Sequence, residues 1–159
     1  MALAAGAVES VQLYSGVESQ VVPAQEGGTL SANAWYKGDL VVFAADGAVD
    51  TVGATGAFSG IASDACTGTD DTKFELFLID PAAIYMMRVE TAKNSAIAYL
   101  GNAYGLNFTA GTQRIDPDNA STVDIYVVGQ HPSDVGVAGA GVDEGRMLVR
   151  FNYDVFIGI

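Results

Sequence analysis

Apolar residues in this chain come in short runs, alternating or clustered over a few positions and broken by Gly, Pro, Asn and Asp, a pattern of strands rather than helices. The run Trp35-Tyr36-Lys37-Gly38-Asp39-Leu40-Val41-Val42-Phe43-Ala44 meets Asp46-Gly47, a strong hairpin signal, and returns through Val49-Asp50-Thr51-Val52. Phe58 to Ala62 predicts a short strand. Lys73 to Ile79, ended by Asp80-Pro81, and Ile84 to Val89 predict interior strands, because their apolar runs are too short for helices. Leu106-Asn107-Phe108, Arg114-Ile115, Val123 to Val128 and Met147 to Phe151 complete the set; in the last, Met147, Val149 and Phe151 share one face and Leu148 and Arg150 the other. One short helix is expected, capped by Asn94-Ser95, running through Ala96 to Leu100 and stopped by Gly101. No internal repeat is apparent.

Residues 1–28 lack this periodicity. They carry two β-prone runs, Val11-Gln12-Leu13-Tyr14 and Gln20-Val21-Val22, and close on Gln25-Glu26-Gly27-Gly28, which reads as a flexible joint. The expectation is an extended N-terminal arm over residues 1–28, of which about 25 residues could stretch roughly 80 Å at ~3.3 Å per residue. Residues 29–159 are expected to form an all-β fold, a single barrel-like or tulip-like domain.

The chain has 159 residues, room for one well-buried core but not for two comfortable domains. Hydrophobic residues make up 50%, charged residues only 16%, and there are 19 glycines, which fits a turn-rich β domain. The net charge of -12 argues against nucleic acid and anionic membranes as partners and favours solubility at high local concentration. A lone cysteine, Cys66, excludes an intrachain disulfide and a cysteine-based zinc site. The first nine residues have no basic region followed by a hydrophobic segment, so the protein is expected to stay where it is made or to join an assembly there.

Candidate chemistry is sparse, and no enzyme activity, cofactor or metal is expected. The only histidine, His131, precedes Pro132 in a turn and lacks the partners of a nucleophilic triad. Asp116-Pro117-Asp118-Asn119 offers the oxygen ligands of a calcium loop, but Ser121 stands where such a loop needs Gly and Val127 where it needs a bidentate Glu, so it reads as a turn. Asp64, Asp70 and Asp71 form an acidic loop whose carboxylates are expected to be solvated. Gly136 to Gly141 lacks the third glycine of a dinucleotide loop, since Glu144 occupies its place. Trp35, Tyr36 and Tyr104 are candidates for stacking on sugars, although aromatics at strand starts more often plug a core.

Three stretches together carry a resemblance: Tyr36-Lys37-Gly38-Asp39-Leu40-Val41; Phe58-Ser59-Gly60-Ile61-Ala62; and Val127 to Gly136 followed by Arg146 to Phe151. In this order behind an arm, they resemble the head decoration, or cement, proteins of tailed double-stranded DNA bacteriophages, over roughly residues 33–152. The resemblance implies a small β domain on the outer surface of an icosahedral head, made in the host cytoplasm, bound to the major capsid protein and to other copies of itself, a trimer being the expected state. The stretch from Val137 to Gly145 is longer than the family's turn. The alternative is a carbohydrate-binding or adhesin-like β module, with a groove lined by Trp35 and tyrosines.

Overall fold

The computed structural model describes residues 10–16, 20–53, 57–90, 97–134 and 145–152. They form eleven strands: β1 (Val11–Ser15), β2 (Val21–Gln25), β3 (Leu40–Phe43), β4 (Val49–Thr51), β5 (Gly60–Ala62), β6 (Lys73–Leu78), β7 (Ile84–Arg88), β8 (Ala103–Asn107), β9 (Arg114–Asp116), β10 (Ile125–Gln130) and β11 (Arg146–Phe151). The chain is all-β, as expected. Every strand pair is antiparallel, in a five-stranded sheet ordered β2-β6-β5-β3-β4 and a six-stranded sheet ordered β1-β7-β11-β10-β8-β9. None of the described helical segments is long and apolar enough to cross a membrane.

Each sheet curls until five of its strands close on themselves, with β1 left outside the second closure. Beyond β2, Glu26 bridges Val49 of β4; beyond β7, Val89 bridges Ile115 of β9, both in parallel. The next residue ties each seam, Gly27 N–H donating to Val49 C=O at 3.1 Å and Glu90 N–H to Ile115 C=O at 3.0 Å. The strands therefore make two small rings, where the sequence predicted a single barrel. Both rings follow one plan. The first takes β2 to β6 and the second β7 to β11, and in each the sequential strands lie in the order first, fifth, fourth, second, third.

The registers make this a residue-by-residue duplication. Val22 and Tyr85 occupy the same place, as do Ala24 and Met87, Val41 and Tyr104, Ala62 and Val127, and Leu76 and Val149, and the matching closes around the ring without a slip. The turns repeat as well. Asp39 N–H donates to Tyr36 C=O and Asn102 N–H to Tyr99 C=O; Gly38 N–H reaches Ala62 C=O and Gly101 N–H reaches Val127 C=O, both at 2.9 Å. Gly38 and Gly101 hold φ of 86° and 77°, a region that glycine enters freely. Even a side-chain role is copied: Ser59 Oγ accepts Phe43 N–H in the first ring, and Asp124 Oδ2 accepts the equivalent Leu106 N–H in the second.

The interiors differ in how they are filled. In the first ring Val41, Val49, Ala62 and Leu76 pack with Trp35 and Cys66, which enter from loops. In the second, Met87, Ile115, Ile125, Val127, Met147 and Phe151 fill the space, and Leu40, Phe58, Ile61 and Ile79 of the first ring join that cluster to fuse the two units. Gly60 stands where the second ring has Ile125. A Cβ at Gly60 would lie 2.7 Å from Phe77 C=O and 2.8 Å from Leu76 Cγ, so this wall is already full. Gly60→Val is expected to cost about 1–3 kcal/mol of overpacking, seen as a lower urea midpoint with unchanged slope.

Two further expectations need correction. The segment 1–28 is extended where described, but it is not separate from the core. β1 pairs with β7 and β2 with β6; Val11 is 1% exposed and Glu26 2%. These staves looked armlike because both are edge strands with one wet side, and an edge strand shows little apolar continuity. The predicted helix is, over its described part, a single 3-10 turn, Ile97–Tyr99, ending before Gly101; Asn94 and Ser95 lie outside the described residues. The Asp46-Gly47 hairpin forms as predicted, with Gly47 at φ 85°.

Candidate binding surface

The structure scatters the chemically suggestive residues. His131 follows β10, its ring edge-on to Tyr14 at 5.8 Å and its Nδ1 accepting Ser133 N–H. Asp116 and Asp118 form a turn in which Asp118 N–H donates to Asp116 Oδ1 at 3.0 Å. Asp64 accepts the Ser63 hydroxyl and Asp71 accepts Gln25 Nε2, both on the exposed side of the β5–β6 loop, where Asp70 is exposed too. Among the described residues no three His, Cys, Asp or Glu side chains are placed to hold a metal. Trp35 is 1% exposed, its indole N–H donating to Asp64 C=O, and Tyr104 is 9% exposed. Tyr36 is half-buried, its ring held against Gly111. Gly136 to Gly141 fall outside the described residues.

Three buried acids that sequence reasoning passed over brace the surface instead. Asp39 accepts the Ser10 hydroxyl, Tyr36 N–H at 2.9 Å and, from the second ring, Gly111 N–H at 2.7 Å. Beside it Gln113 Oε1 accepts Leu40 N–H at 2.6 Å and its Nε2 donates to Leu40 C=O at 3.0 Å. Together these bonds latch the β8–β9 loop of one ring to the start of β3 in the other. Asp134 accepts Arg146 N–H at 2.7 Å and Arg146 Nη2 at 2.8 Å, closing the root of the β10–β11 loop. Burial opposes the charge on Asp134, but the Arg146 bonds outweigh it and hold the carboxyl below its usual range. Asp124 behaves oppositely, because burial pushes its carboxyl up.

Glu26 is the third brace. Its carboxylate accepts Thr67 N–H at 2.7 Å, Thr67 Oγ1 at 3.0 Å, Gly68 N–H at 3.0 Å and the Cys66 thiol at 3.5 Å. Burial alone would raise its pKa, yet these donors together hold it below the ordinary carboxylate range. The same burial, with the Glu26 charge beside it, pushes the Cys66 thiol up, away from the reactive thiolate. The only sequence signal was the position, an acid at the end of a strand beside two glycines.

What this frame presents outward is apolar in two places. On β10 the side chains of Tyr126 and Val128 are each 45% exposed, near the turn that bears exposed Leu100. The second is a groove of about 350 Å³ between the rings, with Val21, Ile61 and Phe77 on one wall and β1 with Tyr85 on the other. Leu13 and Val21, at its rim, are 40% and 47% exposed. No protein-family profile matches the chain, and no curated protein matches it.

Proposed function

We propose that this protein is a structural component of a tailed-phage virion that binds the outer surface of the icosahedral head, contacts the major capsid protein and cements neighbouring subunits, as a trimer. The observation that carries this reading is the Tyr126–Val128 face: a two-residue apolar stripe on a central strand of a cross-braced double ring. A central strand cannot yield to its partner, so the stripe is a rigid contact that loses little conformational freedom on docking. The net charge of -12 supports the same role, keeping crowded copies soluble until the shell orders them. The sequence resemblance over residues 33–152 points the same way. The carbohydrate-binding alternative drew on Trp35, Tyr36 and Tyr104; Trp35 and Tyr104 are buried, and Tyr36 is half-buried with its ring against Gly111.

Co-sedimentation with purified heads lacking the protein tests the proposal. The wild-type chain is expected to pellet with heads. Tyr126→Asp with Val128→Asp is expected to weaken retention at least tenfold while leaving the thermal midpoint nearly unchanged, because both side chains are half in water already. Undiminished retention of the double variant would remove this face from the contact, and failure of the wild-type chain to pellet would remove the function.

A further inference from the structure

The two rings are built alike, yet one outward face is covered and its twin is not. In the first ring this face is built on Gly38, Leu40, Ile61 and Phe77, and β1, the strand added beside the second ring, lies over it. Val11 N–H donates to Gly38 C=O at 3.1 Å, the Ser10 hydroxyl donates to Asp39, and Val11, Leu40 and Ile61 are buried in one cluster. The registers place Gly101, Ala103, Tyr126 and Arg150 at the same four positions of the second ring, with Leu100 where the first has Lys37. There the cover is missing. Tyr126 is 45% exposed where Ile61 is 8%, Leu100 and Arg150 are exposed, and no backbone N–H of the described residues donates to Gly101 C=O.

We propose, on the head-binding reading above, that this face receives an extended segment of the major capsid protein in the manner of β1. A backbone N–H of that segment donates to Gly101 C=O, an aliphatic side chain in the place of Val11 packs on Leu100 and Tyr126, and a carboxylate beside it meets Arg150. The first ring shows the mode of docking, because β1 covers the equivalent face with one backbone N–H and one branched aliphatic side chain. Arg150 adds the charge preference. It is one of seven Lys and Arg residues against 19 Asp and Glu, so it attracts an acidic neighbour on a molecule whose net charge of -12 otherwise repels one.

A second copy of the chain has no equivalent strand to lend. β1 is held beside β7, with Gln12 opposite Met86. Val11 uses its N–H on Gly38, away from β7, so alternation makes Gln12 and Met86 the pair that exchanges backbone hydrogen bonds. In the first ring the place of Met86 is taken by Pro23, which has no N–H for an added strand. The first ring of another copy therefore cannot carry a counterpart of β1 to this face, and its own β1 is already engaged. The strand comes from a different protein.

Photo-crosslinking on heads tests this. A chain with p-benzoylphenylalanine replacing Leu100 is added to purified heads lacking the protein and irradiated, and the joined peptides are identified by mass spectrometry. Hydrogen exchange of the capsid protein is followed with and without the wild-type chain. The expected result is a crosslink to one extended stretch of the capsid protein that holds an aliphatic residue next to Asp or Glu, with slowed exchange of the amides in that stretch. Arg150→Glu is expected to weaken co-sedimentation about tenfold or more. Its thermal midpoint should stay near that of the wild type, since Arg150 is exposed, and Arg150→Lys should keep most of the retention. Crosslinks to another copy of the chain, a capsid stretch without an acidic residue, unchanged exchange there, or undiminished retention of Arg150→Glu overturn this mode of docking while head binding itself stands. A wild-type chain that never pellets with heads overturns both.

Discussion

Deleting residues 1–26 is expected to abolish cooperative unfolding, leaving a chain that exposes apolar surface and aggregates. The deletion removes β2, whose backbone pairs with β6 along Val21 to Gln25, and with it the Glu26–Val49 seam that closes the first ring. It also removes β1 and the Ser10 hydroxyl that the Asp39 latch holds. Leu76 and Val49, both 0% exposed, would then face water through the missing stave. A domain holds only about 5–15 kcal/mol of net stability. Burying a single large aliphatic side chain contributes about 1.5–3 kcal/mol, so losing two strands and a seam exhausts that margin. Thermal unfolding followed by circular dichroism decides the matter. A sharp transition near the full-length midpoint would mean that residues 1–26 are an appendage after all.

Glu26→Ala is expected to be the most damaging single change at a polar site. It strands the Thr67 and Gly68 N–H groups, and the β5–β6 loop loses the anchor that holds Cys66 under Trp35. Each hydrogen bond to a charged group contributes about 1.5–3 kcal/mol, so losing the two from Thr67 N–H and Gly68 N–H costs roughly 3 kcal/mol or more. That corresponds to a midpoint lower by roughly 6–12 °C for a domain of this size. Glu26→Gln keeps one acceptor oxygen and should lose less. The pH dependence has a definite sign. The folded pKa of Glu26 lies below the ordinary 4.5, so its stabilisation is present above that value and is lost as pH falls through the folded pKa. Glu26→Gln should therefore flatten the acid limb of the stability profile below about pH 4.5, and an unchanged limb would show that other carboxylates govern it.

The strands were legible because alternation and turn residues report them directly: Met147, Val149 and Phe151 share one face, which is the buried one, and Asp46-Gly47 makes its hairpin. The duplication was hidden. Ring interiors require a filled volume, which different side chains supply in different ways, so Gly60 answers Ile125 and Ala24 answers Met87. Only the paired turns, Tyr36-Lys37-Gly38-Asp39 and Tyr99-Leu100-Gly101-Asn102, keep a common signature, and four residues are too little to stand out. The N-terminal strands resemble an arm in sequence because Pro23 and the polar Gln20 and Gln25 describe an edge strand as well as a tail. Glu26 looked like part of a joint because Gly27-Gly28 follows it, and nothing local reveals that a loop forty residues later supplies its donors. The exposed Tyr126 and Val128 are legible in sequence only as strand residues, since alternation tells which residues share a face but not which face is buried.

The most direct test of the whole account is a reconstruction of phage heads with and without the protein. The account predicts a two-lobed density, one lobe per ring, on the outer surface in closed groups of three, with β10 against the major capsid protein. Heads identical in the two reconstructions, or density confined to the inside of the shell, would contradict it.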